Sequence, residues 1–148
     1  MPTDTFNFFY SFSEVVHEGG HNLGSHQLTI ALTDTAPDNT NDLILTDIAE
    51  IAYTNLLNNP TSRNLTTSSS TQTTGVYKLV VASLQLEADG GDLPTFRYVV
   101  YYNNDHASDA LIGWVDYGVG GVTVLDGETF DITHDGTNGL FTVTYPTT

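Results

Sequence analysis

Apolar and polar residues alternate along most of this chain, and a period of two predicts half-buried β-strands. In residues 27–33 the apolar positions are Leu28, Ile30, Ala31 and Leu32. Residues 76–86 form the longest run, with Val76, Val80, Ala82, Leu84 and Leu86 on one face and Lys78 as its exception. Residues 129–133 and 140–145 alternate cleanly. At the N-terminus an aromatic segment puts Phe6, Phe8, Tyr10 and Phe12 on one strand face and Phe9 on the other. Turn signals separate these runs: Asp89-Gly90-Gly91-Asp92, Gly118-Val119-Gly120-Gly121, Asp126-Gly127 and Asp135-Gly136-Thr137-Asn138-Gly139. Strand, turn, strand at this spacing predicts an antiparallel all-β domain.

The pattern also predicts pairings. With His134 facing Gly139, Phe130 opposes Val143 and Ile132 opposes Phe141, which gathers the apolar side chains of that hairpin on one face. With Tyr102 facing Leu111, Val99 opposes Trp114 and Arg97 opposes Asp116. Both faces of this second hairpin are apolar, so it should be covered on both sides, inside a sheet or under a partner subunit. Helix is scarce. Ile44, Ile48, Ile51 and Ala52 recur at helical spacing, which predicts one or two short turns within 42–57, with Thr46 or Asp47 as a cap. Residues 61–75 hold ten Ser or Thr and no periodic apolar face. They read as a flexible loop, with a Thr-rich edge strand as the alternative.

Composition narrows the function. The 148 residues carry eighteen carboxylates against three cations, for a net charge of −15, and contain no cysteine. One domain spanning 1–148 is the expectation at this length. Disulfides and thiolate metal sites are excluded. Arg63, Lys78 and Arg97 make no basic patch, so nucleic acid and anionic membranes are poor partners. No apolar run reaches membrane-span length, and Met1-Pro2-Thr3-Asp4-Thr5 shows no signal-peptide pattern.

Candidate chemistry is sparse. His17-Glu18-Gly19-Gly20-His21 matches the zinc-protease spacing, but two glycines undermine the helix that spacing needs. A loose metal site with His26, or a glycine-rich turn, is the plainer reading. Asp34, Asp38 and Asp42 form an acidic loop without the glycine that an EF-hand requires. No nucleophile motif occurs, so no catalytic residue, cofactor or metal is assigned. Arg97 and Asp116 are the expected structural ion pair.

Several stretches together resemble a family of small virion proteins of tailed bacteriophages, including cyanophages. They are the aromatic Phe6–Phe12 segment, Leu28-Thr29-Ile30-Ala31-Leu32-Thr33-Asp34-Thr35-Ala36-Pro37, Phe96-Arg97-Tyr98-Val99-Val100-Tyr101-Tyr102-Asn103, Leu111-Ile112-Gly113-Trp114-Val115-Asp116-Tyr117-Gly118, and Asp126-Gly127-Glu128-Thr129-Phe130 with Gly139-Leu140-Phe141. Some members of that group resemble head decoration, or cement, proteins. The resemblance implies an antiparallel β-sandwich, jelly-roll-like, assembled as a homotrimer on the capsid exterior. It implies a non-enzymatic protein whose partner is the major capsid protein of the same phage. Phe6, Phe8, Phe9, Tyr10, Tyr101 and Tyr102 are the expected interface residues. The rival expectations are a tail or fibre protein and a carbohydrate- or cation-binding module using Tyr53 or Tyr117.

Overall fold

The computed structural model describes residues 5–146; Met1-Pro2-Thr3-Asp4, the start of the stretch read above for a signal peptide, and residues 147 and 148 lie outside them. The strands are β1 (Asn7–Phe8), β2 (Leu28–Thr33), β3 (Thr67–Thr73), β4 (Val76–Val81), β5 (Leu84–Glu87), β6 (Leu93–Phe96), β7 (Tyr98–Asn103), β8 (Leu111–Asp116), β9 (Val122–Val124), β10 (Thr129–Ile132) and β11 (Phe141–Thr144). One α-helix, α1 (Ser11–His17), follows β1. The fold is an antiparallel all-β sandwich. One layer is the sheet β1-β8-β7-β2, and opposite it lie β11-β4-β3 and the pairs β10-β5 and β6-β9.

Every residue of β2 and β7 is buried. Alternation sends Leu28, Ile30, Leu32, Val99 and Tyr101 into one core, where they meet Leu79, Val81, Leu86, Ile132 and Phe141 from the other layer. It sends Ala31, Val100 and Tyr102 into a second core, closed by Phe9, Leu45, Ile48 and Trp114. The hairpin with two apolar faces is thus covered on both sides by its own chain.

The outer edge of β2 is sealed by the segment that follows it. Leu65 N–H donates to Leu28 C=O and Ile51 N–H to Leu32 C=O, both at 2.9 Å. Between them the guanidinium of Arg63 donates from Nη1 to Ile30 C=O (2.8 Å) and from Nε to Asn59 Oδ1 (2.9 Å). Glu50 stands 3.5 Å from the same Nη1, and the Arg63 guanidinium lies over the Tyr53 ring at 4.1 Å. Leu32 N–H donates to the Tyr53 hydroxyl, which donates to Glu50 Oε1. A strand edge buried this deeply would leave its carbonyls unpaired without such partners.

Several pairings differ from the pattern's first reading. Residues 129–145 do not form a hairpin: Phe130 pairs with Leu86 in β10-β5, and Phe141 pairs with Leu79 in β11-β4. The long run 76–86 breaks at Ala82 and Ser83, so each half takes its own partner. Ser83 Oγ and Ala82 C=O hold His134 at this break (2.9 and 3.0 Å). The break also exchanges faces. Leu79 and Val81 point inward in β4, whereas Leu86 does so in β5. Lys78 was no exception, since it lies on the outward face and donates to Thr137 C=O at 2.7 Å. In β7-β8 the expected Tyr102–Leu111 pair is present, but Ile112 is the extra residue of a bulge. Beyond it Val99 faces Val115 and Tyr98 faces Asp116. Arg97 still reaches Asp116 diagonally, through two bonds of 2.8 and 2.7 Å. Residues 67–73 form the edge strand β3 rather than a loop. The aromatic segment pairs over Asn7 and Phe8 alone before turning into α1. Within 42–57 a single 3-10 turn, Leu45–Asp47, forms, with Asp47 accepting the N–H groups of Leu43 and Ile44.

The β2 seal predicts that Arg63→Ala costs about 2–4 kcal/mol in urea unfolding, because it orphans a buried carbonyl and the Glu50 carboxylate. Arg63→Lys, lacking the planar fork, restores only part of the loss. A change below about 0.5 kcal/mol for Arg63→Ala would contradict the seal.

Candidate docking site

The helix α1 is short, and its sequence explains both its register and its end. Phe12 and Val16 are one turn apart on the inward face; Glu14 and His17 sit in the first and last turns, where they suit the helix dipole. Gly19, at φ 80°, stops it. Gly20 N–H reaches Val15 C=O and Gly19 N–H reaches Val16 C=O (2.7 and 3.1 Å), the paired bonds of a Schellman end. The helix therefore finishes between the two histidines of the H-E-x-x-H pattern. His17 bonds back to Ser13 C=O at 2.6 Å, while His21 turns into the interior.

Between α1 with its following loop and the far end of the β11-β4-β3 sheet lies a groove of about 1010 Å³. Its floor is aromatic. Phe8 stacks on Phe12 (centroids 5.1 Å apart) and meets Phe141 edge-on at 4.8 Å, with Tyr77 beyond. Val16 and Leu23 close one side, Val143 the other, and Ser70 and Gln72 of β3 form the end wall. Tyr10 and Tyr145 stand at the rim, 70% and 58% exposed. Among the described residues, no Asp, Glu, Lys or Arg lines the groove, and His17 and His21 are the imidazoles that border it. On a chain of net charge −15, that makes it the neutral face of an acidic body.

The expected interface residues divide. Phe8 and Tyr10 line the groove. Phe6 packs beneath it against Tyr101 and Phe141 (5.4 and 5.2 Å) and lies over Gly113, where a Cβ would come within 2.2 Å of its ring. Tyr101 and Tyr102 are buried in the cores, away from the groove, and Phe9 borders the groove but is itself almost wholly buried. The Tyr101 hydroxyl is held internally, donating to His134 Nε2 at 2.9 Å. The two tyrosines of the carbohydrate reading are also committed inward. Tyr53 serves the β2 edge, and Tyr117 packs on Phe130 with its hydroxyl pushed up to about 12 by burial.

The titratable groups are built into structure. Arg97 holds the Asp116 carboxyl below its ordinary value, and Gly118 N–H adds a bond of 2.7 Å. Asp38 accepts from Thr40 and from the Asn41 backbone and amide, and Asp42 accepts from Asp38 N–H, so these carboxylates close their own loop, beside which Asp34 lies exposed. His21, His26 and His106 gather around Asn103, a grouping invisible in the sequence because it crosses about eighty positions. The Asn103 amide lies 3.1 Å from His21 Nδ1 and 2.8 Å from His26 Nδ1. Among the described residues, no group of three His, Cys, Asp or Glu side chains is arranged to hold a metal ion. Burial, then the nearby His106, pushes His21 down to about 4, against a smaller opposite pull from the Leu111 carbonyl.

Comparison with family models, with curated proteins and with solved structures found no match.

Two predictions follow from this packing. Gly113→Ala should cost about 1–3 kcal/mol, read by thermal melting, because Phe6 and Asn7 C=O occupy the space. His21 stays neutral in the fold down to about pH 4, while the unfolded chain takes up its proton near 6.5. Its stabilisation is therefore complete above pH 6.5 and declines as pH falls towards 4, by roughly 2 kcal/mol. His21→Phe should flatten that part of the stability profile, whereas the loss from Asp116 begins only below about pH 4.

Proposed function

We propose that this chain is a non-enzymatic virion structural protein of a tailed bacteriophage, a decoration protein that docks on the outer capsid and stabilises it by bridging neighbouring subunits. The observation that carries the reading is the uncharged aromatic groove on an otherwise strongly acidic body. A cement protein needs a stiff frame and an apolar contact, and both are available here. β2 and β7 are covered on both faces, which gives the frame. The groove supplies apolar area at a small entropic cost, since its rings are already held by one another. The acidic exterior keeps a high-copy protein soluble and discourages contact with nucleic acid. In this reading the partner is the major capsid protein, the assembled form is a homotrimer, and the protein is made in the bacterial cytoplasm before joining the virion. Binding only to the mature lattice favours that lattice by mass action.

Cryo-microscopy of purified particles of the encoding phage tests the proposal. This chain is expected as density on the outer capsid, straddling subunit boundaries, and particles lacking it should release DNA at lower temperature. Val143→Glu, which charges the groove, should lower capsid occupancy about tenfold or more while the chain still folds. Density in the tail, or none on the particle, would overturn it.

A further inference from the structure

The β2 edge is sealed by side chains, and the β3 edge is not. Tyr145 N–H donates to Gly75 C=O and Leu140 N–H to Leu79 C=O (2.8 and 2.7 Å), so the odd residues of β4 bond β11. The even residues then bond β3 through Ser69, Thr71 and Thr73. Ser70 and Gln72 point their N–H and C=O groups away from the sheet, and none of these groups has a hydrogen-bond partner among the described residues. The same two residues form the end wall of the groove. Across the sheet Gln72 aligns with Tyr77 and Val143, and Ser70 with Leu79 and Phe141, so a strand laid beside β3 extends the face that floors the groove.

We infer that this edge takes an extended segment of a partner protein, added as a further strand, with alternate apolar side chains in the groove and cations flanking it. The inference rests on the docking role proposed above, in which the segment belongs to the capsid protein. Only another strand offers donors and acceptors at the two-residue repeat that Ser70 and Gln72 present. Residues 64–77 contain no charged side chain, neither the lysines nor the prolines that usually guard an exposed edge. The surrounding body carries −15, which favours a neutral core with basic ends as the occupant of this edge.

The probe is a synthetic peptide of alternating valine and threonine with paired lysines at both ends, titrated into the intact protein and followed by amide hydrogen exchange. Exchange at Ser70 and Gln72 should slow about tenfold or more at saturation. Gln72→Pro removes an outward N–H and the Gly75 N–H to Gln72 Oε1 bond (2.7 Å) but no backbone bond of the β3–β4 ladder, and should weaken binding at least about tenfold with the fold retained. Gln72→Ala keeps the N–H and should bind within about threefold of the parent. Glutamates in place of the lysines should weaken binding about tenfold. No slowing, slowing at Thr142 and Thr144 instead, or equal binding by Gln72→Pro would overturn the inference. So would protection of both amides before peptide is added, whether by another part of this chain or, if it grows with concentration, by a second copy. Particle microscopy reads the virion role separately, so its failure leaves the edge measurement standing.

Discussion

A strand at the edge of a sheet presents a row of donors and acceptors that must be paired or left to water, and this molecule is organised by that requirement. β2 lies at the edge of its sheet yet is buried along its whole length. Its outward carbonyls therefore have to be met from within the chain. Residues 50–65 do this with two backbone N–H groups and one guanidinium, and the Tyr53 hydroxyl accepts the outward N–H of Leu32. Arg63 is the least replaceable member, because it also neutralises Glu50 and caps the Tyr53 ring. With that edge closed, β2, β7 and β8 can carry a core on each face, and the second layer can pack without a partner subunit.

The rest of the architecture follows from what the second layer leaves uncovered. In the sheet β11-β4-β3, Tyr77 and Val143 are only half-covered. α1 and its glycine-rich exit stand off from them, and the space between is the groove. Gly113 lets Phe6 lie flat beneath it, so the aromatic floor is fixed from below. Carboxylates occupy turns and outward positions elsewhere, and several are satisfied by their own loops. The negative charge thus coats the body and avoids one apolar surface.

Much of this was legible in the sequence. The strand runs, the turns, the doubly apolar hairpin and the Arg97–Asp116 pair all come from alternation and from the rarity of cations. What alternation cannot fix is partner choice. Phe130 and Phe141 satisfied a hairpin as well as they satisfy β5 and β4, because period-two patterns match any strand of the right polarity. A single bulge at Ile112 moved one register, and a two-residue break at Ala82 and Ser83 exchanged a face; both depend on long-range contacts. The signal for the break was present, since Lys78 does not belong on an inward face. The groove was harder to foresee. Half of the aromatic candidates, Phe9, Tyr101 and Tyr102, are spent on the cores, and Val16, Leu23, Ser70, Gln72 and Val143 come together only in three dimensions. The clue available was negative: residues 64–77 carry no charge in a chain with twenty-one charged side chains, eighteen acidic and three basic.

The central claim is that one sheet edge is closed by design and another is open for use. Native-state amide hydrogen exchange of the free protein, comparing outward-pointing amides on the two edges, tests it most directly. Leu32, whose N–H is held by the Tyr53 hydroxyl at 2.8 Å, should exchange only on global unfolding. Gln72, whose N–H has no hydrogen-bond partner among the described residues, should exchange orders of magnitude faster at the same pH. Comparable protection at the two positions would contradict the account.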